Sequence, residues 1–227
     1  GTVSKQELDQ HVYYNRDVPN AIAYHSNWMF RPWEEDWGLC IPYNEYTAWE
    51  DGDYFVDLDV ALADGELVVG EMFHRGTSEE TIVFNAHTCH ATLANDDMSG
   101  VMVIVALFQW LATQQTRYSY LGIIAPEIVG PIFYLRDKSV EEIANMKLGC
   151  FLESVGSQAP IALQQSLNGD SLLDRLVERL LGERYGEATV GPFRSICGND
   201  EIVWEAPDIE VPMVLLTRFP FLEYHTT

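Results

Sequence analysis

Five residues able to donate to a metal ion, His87, Asp96, Glu127, Glu153 and His225, each fall where an apolar run gives way to a polar loop. Carboxylates gathered at one edge of a sheet raise one another's pKa values unless a cation neutralises them. Two imidazoles among them favour zinc, because borderline-soft nitrogen suits a transition metal whereas calcium and magnesium prefer oxygen alone. Each residue also has a plain structural explanation. A lone strand-end histidine usually bonds its own loop, Asp96 before a helical pattern reads as a helix cap, and Glu127 and Glu153 read as solvated loop residues. Five of them coinciding at strand ends make a metal site the better explanation, with zinc, one or two ions, as the expected cofactor.

The elements that must position these groups are legible from hydrophobic periodicity. Thr81 to Phe84 is a short apolar run of the kind buried on both faces of a central sheet, and it leads to His87. From Met98 to Thr113 the apolar residues recur at helical spacing, so His87 and Asp96 lie between a strand and its covering helix. Tyr118 to Ile124 and Lys147 to Leu152 read as further strands, opening onto Pro126-Glu127 and Glu153-Ser154-Val155-Gly156, and Val211 to Thr217 reads as the last. Ser171 to Leu181 is an amphipathic helix capped by Ser171 and ended by Gly182. Asp53 to Ala63 alternates with period two, and Asp64-Gly65 then predicts a tight turn into Glu66 to Phe73 as the returning strand of a hairpin. Strands alternating with helices predict a three-layer α/β/α sandwich with a mixed, largely parallel sheet, whose carboxyl edge is where ligands bind.

Residues 1–50 lack clean periodicity. Trp28, Phe30, Trp33, Trp37, Tyr43, Tyr46 and Trp49 predict an irregular, aromatic-rich layer over the sheet edge, with packing favoured over a substrate pocket. His11, His25 and His74 have no partner motifs and read as structural or surface residues. The length of 227 residues suits one domain spanning the chain rather than two full ones.

Thirteen basic against 35 acidic residues give a net charge of -22, which repels nucleic acid and anionic membrane surfaces. A soluble, salt-adapted surface explains that acidity more simply than attraction of a cationic ligand. Cys40, Cys89, Cys150 and Cys197 form no Cys-x-x-Cys pair, so reduced thiols in a cytoplasmic protein are expected. The N-terminal residues do not have the pattern of a signal peptide, and no apolar run reaches the roughly 18 residues of a membrane span.

The segment His87-Thr88-Cys89-His90, followed by Asn95-Asp96-Asp97-Met98-Ser99-Gly100, resembles that of zinc aminopeptidases of the bacterial leucyl aminopeptidase and glutaminyl cyclase type. Pro126-Glu127, Leu152-Glu153-Ser154-Val155-Gly156 and Tyr224-His225-Thr226 resemble the remaining ligand segments of that family, in the same chain order. Closer still is a bacterial aminopeptidase-like family of poorly known function, which shares Trp37-Gly38-Leu39-Cys40 and Gly198-Asn199-Asp200-Glu201 as well. This similarity runs from about Ala21 to the end. The resemblance implies a zinc-exopeptidase-like fold in which His87 and Glu153 hold one zinc, Glu127 and His225 another, and Asp96 bridges them.

The chain departs from that pattern at Pro126, where the related peptidases carry the glutamate that serves as general base. Three repairs follow. Glu127 acts as base while His87, Asp96 and His225 surround a single metal; or Glu201 is the base or binds a substrate ammonium; or hydrolysis has been lost. The first is preferred. Cys89 stands where the relatives often have an aspartate orienting the metal-bound histidine, a contact that His90 could supply instead of binding metal or facing solvent; Cys89 as a nucleophile is disfavoured. Trp204, Phe219, Phe221 and Tyr224 could line a side-chain pocket, with Asp200 and Glu201 beside a substrate's amino terminus.

The expected function is therefore zinc-dependent hydrolysis of an amide bond next to a free amino terminus, on a small peptide or aminoacyl substrate. The alternatives are a single-zinc aminoacyl cyclase or acyl transferase, and a noncatalytic metal- or peptide-binding module. In the family a further acidic residue and a closing helix follow the His-Thr segment, so a fragment of a longer chain, or a subunit completed in a homo-oligomer, is also expected.

Overall fold

The computed structural model describes the chain except residues 26–32, 35, 62, 90–93, 187 and 227. The expectations placed on Trp28, Phe30 and His90 lie outside the described residues. The chain divides into two compact units, one of residues 1–65 with 223–227 and one of residues 66–222.

In the first unit β1 (Thr2–Ser4) pairs antiparallel with β4 (Asp53–Phe55), and β2 (Val12–Tyr13) pairs parallel with β3 (Leu39–Cys40). Two single-turn helices, α1 (Lys5–Leu8) and α2 (Tyr43–Tyr46), and a 3-10 turn over Asp9–His11 complete its regular structure among the described residues. Its aromatics pack on one another: Tyr46 stacks on Tyr14 with centroids 4.6 Å apart and Trp49 on Tyr54 at 5.4 Å, while His11 stacks on Trp37 at 3.9 Å and His25 on Tyr13 at 3.7 Å. Aromatic packing and structural histidines are thus what this stretch contains.

The second unit is built on a seven-stranded mixed sheet. Its strands are β5 (Gly70–His74), β6 (Thr81–His87), β7 (Ser119–Ala125), β8 (Met146–Glu153), β9 (Ile161–Gln164), β10 (Thr189–Gly191) and β11 (Met213–Arg218), in the spatial order β10-β9-β11-β8-β6-β7-β5. The central ladders β11/β8, β8/β6 and β6/β7 are parallel, as is β10/β9, while β5/β7 and β11/β9 are antiparallel. The helices are α3 (Ser99–Leu111), α4 (Val129–Arg136), α5 (Val140–Asn145), α6 (Leu172–Tyr185) and α7 (Glu201–Trp204). One sheet face, with Ala86, Cys150, Leu152, Leu163 and Val214, buries the apolar stripes of α3 and α6; the other, with Val83, Ile123, Phe151, Met213 and Leu215, packs against Leu135 of α4 and Trp204 of α7. This is the expected three-layer sandwich with a largely parallel sheet. None of the described helices is long and apolar enough to cross a membrane.

Two expectations are corrected. The hairpin over Asp53 to Phe73 does not form: only Asp53–Phe55 and Gly70–His74 are strands, and they join different sheets. A two-stranded hairpin alone is marginal in water, and β5 instead completes the ladder beside β7, leaving Val60 and Val68 of the connecting stretch more than 70% exposed. Gly182 does not end its helix either. The reciprocal hydrogen bonds of Ser171 and Asp174 start α6 as anticipated, but the helix runs on to Tyr185 and stops at Gly186, whose φ of 78° suits glycine.

Candidate metal centre

Strand alternation brings polar residues to the end of one apolar face. On β6, Asn85 and His87 continue the row that begins with Val83; on β8, Glu153 follows Phe151; on β11, Thr217 follows Leu215. Asn85 pairs with Phe151 and Glu153 with Thr217, so His87, Glu153 and Thr217 stand level across three adjacent strands at their carboxyl ends.

The third member of the centre comes from the irregular turn Ala94–Met98 before α3. His87 Nε2 lies 3.2 Å from Asp96 Oδ1 and 3.0 Å from Glu153 Oε2, and all three side chains are buried. One ligand atom from each lies within 4.8 Å of the others. One imidazole nitrogen and two carboxylate oxygens are all ligand types that zinc accepts, and three protein ligands is the number that catalytic zinc sites use. Its electrostatics also suit a cation. Burial alone would lower the His87 pKa, but hydrogen bonds to Asp96 and Glu153 and the charges of Glu153 and Asp97 together push it up to about 11. Burial likewise raises the pKa of Glu153. The His87 shift reflects an excess of negative charge around its ring, which a cation would meet.

Asp97 fixes this geometry from behind. Its Oδ2 accepts the His87 N–H at 3.2 Å, and its Oδ1 accepts the N–H groups of Gly100 at 3.1 Å and Ser154 at 3.0 Å. One carboxylate therefore ties the end of β6, the start of α3 and the turn after β8. Asp97 rather than Asp96 has the capping role, which frees Asp96 to face His87. Gly100 is required for so close an approach, since a Cβ there would lie 2.5 Å from the Leu152 carbonyl oxygen and 2.6 Å from the Asp97 carboxylate. Asn95 adds a second tie, its Oδ1 accepting from Gly156 N at 2.8 Å.

Glu127 follows β7 and is partly buried, but it stands outside the His87, Asp96, Glu153 group. Its loop is held by Asp200, whose Oδ1 accepts the N–H of Ile128. Ile128 has φ 60°, a costly conformation for a β-branched residue, of the kind that persists only where the surroundings impose it. The Cys89 thiol neighbours Glu127; burial first, and the Glu127 charge next, raise its pKa, which disfavours a thiolate nucleophile. The Cys89 N–H lies 3.5 Å from His87 Nδ1.

The substrate-pocket roles expected of Asp200 and Trp204 and the ammonium- or proton-binding role of Glu201 require correction, because all three are fully buried. Asp200 also accepts from Asn85 Nδ2 at 2.9 Å, Trp204 Nε1 donates to Asn85 Oδ1 at 2.7 Å, and Trp204 is part of the apolar core. Both Glu201 oxygens accept hydrogen bonds, from Gln164 Nε2 at 3.2 Å and Asn199 N at 2.9 Å. Burial raises the pKa of Asp200 to about 6 and of Glu201 to about 7. His225 and Tyr224 belong to the first unit, where their rings stack at 3.9 Å. Phe219 and Phe221 meet edge to face at 5.5 Å.

Sequence reasoning missed Asn85, Gln164 and Asn199. Asn85 carries a signal, since it alternates in phase with His87; Gln164 sits in a strand too short to read; and Asn199 is overshadowed by the acidic pair after it. Thr217 is fully buried, and its hydroxyl has no hydrogen-bond partner among the described residues. Thr217→Val is therefore expected to leave the thermal midpoint unchanged or to raise stability by about 1 kcal/mol; a loss of more than that in calorimetry would mean that the hydroxyl is satisfied after all.

The family described as Domain of unknown function (DUF4910) matches residues 10–227. A Clostridium acetobutylicum protein, provisionally named for polysaccharide biosynthesis and for an aminopeptidase-like domain, is 31% identical over 231 residues, covering all of this chain and 51% of that protein. The chain thus spans about half the length of this relative. A crystal structure from the same organism, provisionally named a peptidase, superposes with a TM-score of 0.89 at 30% identity, covering 100% of this chain and 53% of that one. A zinc aminopeptidase from Bacillus subtilis follows at TM-score 0.53 and 16% identity, covering 66% of this chain and 39% of that one. The glutaminyl cyclase of Porphyromonas gingivalis superposes at TM-score 0.55 and 14% identity, covering 70% and 71%. At such low identity these last two show the fold alone, which is that of the zinc aminopeptidases and glutaminyl cyclases.

Proposed function

Since the chain belongs to the DUF4910 family and has an aminopeptidase-like fold, we propose that it is a zinc-dependent hydrolase cleaving an amide bond next to a free amino terminus. The observation that carries this reading is the buried group of His87, Asp96 and Glu153, with ligand atoms within 4.8 Å of one another at the carboxyl edge of the sheet. These three residues would hold the zinc. Bound there, zinc supplies a water of lowered pKa and polarises the scissile carbonyl.

Glu127 is the proposed general base. It is partly buried beside the Cys89 thiol, outside the ligand group, and its loop is anchored by Asp200. A carboxylate so placed takes a proton from the attacking water and returns it to the leaving nitrogen, yielding a free acid and a free amine. With Pro126 where the relatives have their base, Glu127 is the adjacent carboxylate able to replace it. The free thiols of Cys40, Cys89, Cys150 and Cys197 support a cytoplasmic setting.

With zinc added, the protein should release nitroaniline from aminoacyl p-nitroanilides; chelator and Asp96→Ala should each abolish release. Tight zinc binding without turnover on a panel of such substrates would contradict the reading. A second reading, aminoacyl cyclisation, is favoured by the three-residue group with Glu127 outside it, which suits one ion. It predicts that a peptide with N-terminal Gln loses ammonia without taking up water. Peptide binding with no product would mark a noncatalytic module.

A further inference from the structure

Behind Glu153 lies a buried chain of hydrogen bonds that reaches well beyond the three ligand residues. Glu153 Oε2, the oxygen facing His87, also accepts from Asn199 Nδ2 at 2.8 Å, and Oε1 accepts from Ser154 Oγ at 3.0 Å. Asn199 is itself held on two sides: its N–H donates to Glu201 Oε2 at 2.9 Å and its Oδ1 accepts from Asp200 N at 2.8 Å. Glu201 Oε1 in turn accepts from Gln164 Nε2 at 3.2 Å, and Gln164 Oε1 accepts the N–H groups of Ile196 and Cys197, both at 2.9 Å. Asn199 is 4% exposed, and Glu153, Gln164 and Glu201 no more than 1%.

We infer that Asn199 is a positioning residue for the Glu153 carboxylate, and that the Gln164–Glu201 pair locks Asn199 in place. This rests on the proposal that Glu153 is a zinc ligand. A carboxylate bound to metal through one oxygen can rotate, and an amide donor on that same oxygen fixes which lone pair meets the ion. The donor is neutral. Lys or Arg in its place would compensate the carboxylate's charge and compete with zinc, whereas an amide orients the group and leaves its charge available. Direction matters in the outer pair too, since Gln164 must donate to Glu201 while accepting two backbone N–H groups, and its amide cannot be reversed without losing both.

The test measures zinc affinity by chelator competition, and the visible spectrum of the cobalt-loaded protein, in four variants of the full chain alongside the unaltered protein. Asn199→Ala should bind zinc about 10- to 100-fold more weakly, with a changed cobalt spectrum and retained circular dichroism. Glu201→Gln should weaken binding in the same direction, because its new amide hydrogens face either Asn199 N–H or the Gln164 amide. Gln164→Glu alone sets two carboxylates against each other and should also weaken it. The double exchange Gln164→Glu with Glu201→Gln restores every donor to an acceptor, and should return affinity and spectrum to those of the unaltered protein. That rescue is what a merely structural role for Asn199 would not give. If the unaltered protein binds no zinc, the metal reading itself fails. If it binds zinc and Asn199→Ala matches it in affinity and spectrum, the inference is overturned. Should Asn199→Ala fail to fold, weakened binding in Glu201→Gln without recovery in the double exchange would overturn it equally.

Discussion

Replacing Glu127 by Gln should lower turnover of an aminoacyl anilide by about 10²- to 10⁴-fold, the usual contribution of a positioned general base, while zinc affinity stays close to that of the unaltered protein. The two readouts move apart because Glu127 stands outside the group formed by His87, Asp96 and Glu153. Glutamine preserves length and shape but cannot take the proton of the attacking water. If Glu127 were instead a ligand, as family resemblance implies, the same substitution would weaken zinc binding along with turnover. Parallel titration and kinetics on Glu127→Gln therefore separate base from ligand. A loss of affinity comparable with the loss of rate would reject the assignment made here.

The second large effect falls on stability. Asp97→Ala removes the acceptor of three N–H groups, those of His87, Gly100 and Ser154. Each buried donor left without a partner costs about 1–3 kcal/mol, so the variant should lose much of the roughly 5–15 kcal/mol that holds an ordinary domain folded. Asp97→Asn keeps one carbonyl oxygen, which can serve Gly100 and Ser154, but turns an amide toward His87 N–H; an intermediate loss is expected. Denaturant melts of the metal-free proteins measure both. A midpoint for Asp97→Ala within about 1 kcal/mol of the unaltered protein would mean that water or a backbone shift replaces the carboxylate.

How far the site is readable before folding depends on whether its signals are local. His87, Glu127 and Glu153 announce themselves because His87 and Glu153 end buried strands and Glu127 follows one closely, and strand periodicity is visible over four to eight residues. Asp96 and Asp97 are adjacent and chemically alike, and capping rules alone favour Asp96 as the cap; it is the family resemblance that sets Asp96 among the ligands and leaves the capping role to Asp97. The α/β/α layering followed from strand and helix alternation, yet β9 and β10, at four and three residues, are too short to show a period. The hairpin over Asp53 to Phe73 failed for another reason. Its alternating pattern is present in the sequence, but which strand β5 joins is decided by the open edge of β7, a partner distant in sequence. Asp200, Glu201 and Trp204 show the same limit. Polar and aromatic residues near a loop look like a binding surface, and only the fold reveals them as a buried network.

In the proposed function, His87, Asp96 and Glu153 hold the zinc, and Glu127 stands outside that group. Anomalous scattering at the zinc edge from crystals of the zinc-loaded protein tests this most directly, because it counts the ions and gives their ligand distances. The expected result is a peak at about 2.0–2.2 Å from His87 Nε2 and from one oxygen each of Asp96 and Glu153, with Glu127 beyond bonding distance. No peak at these residues, or an ion bound there through Glu127, would contradict it.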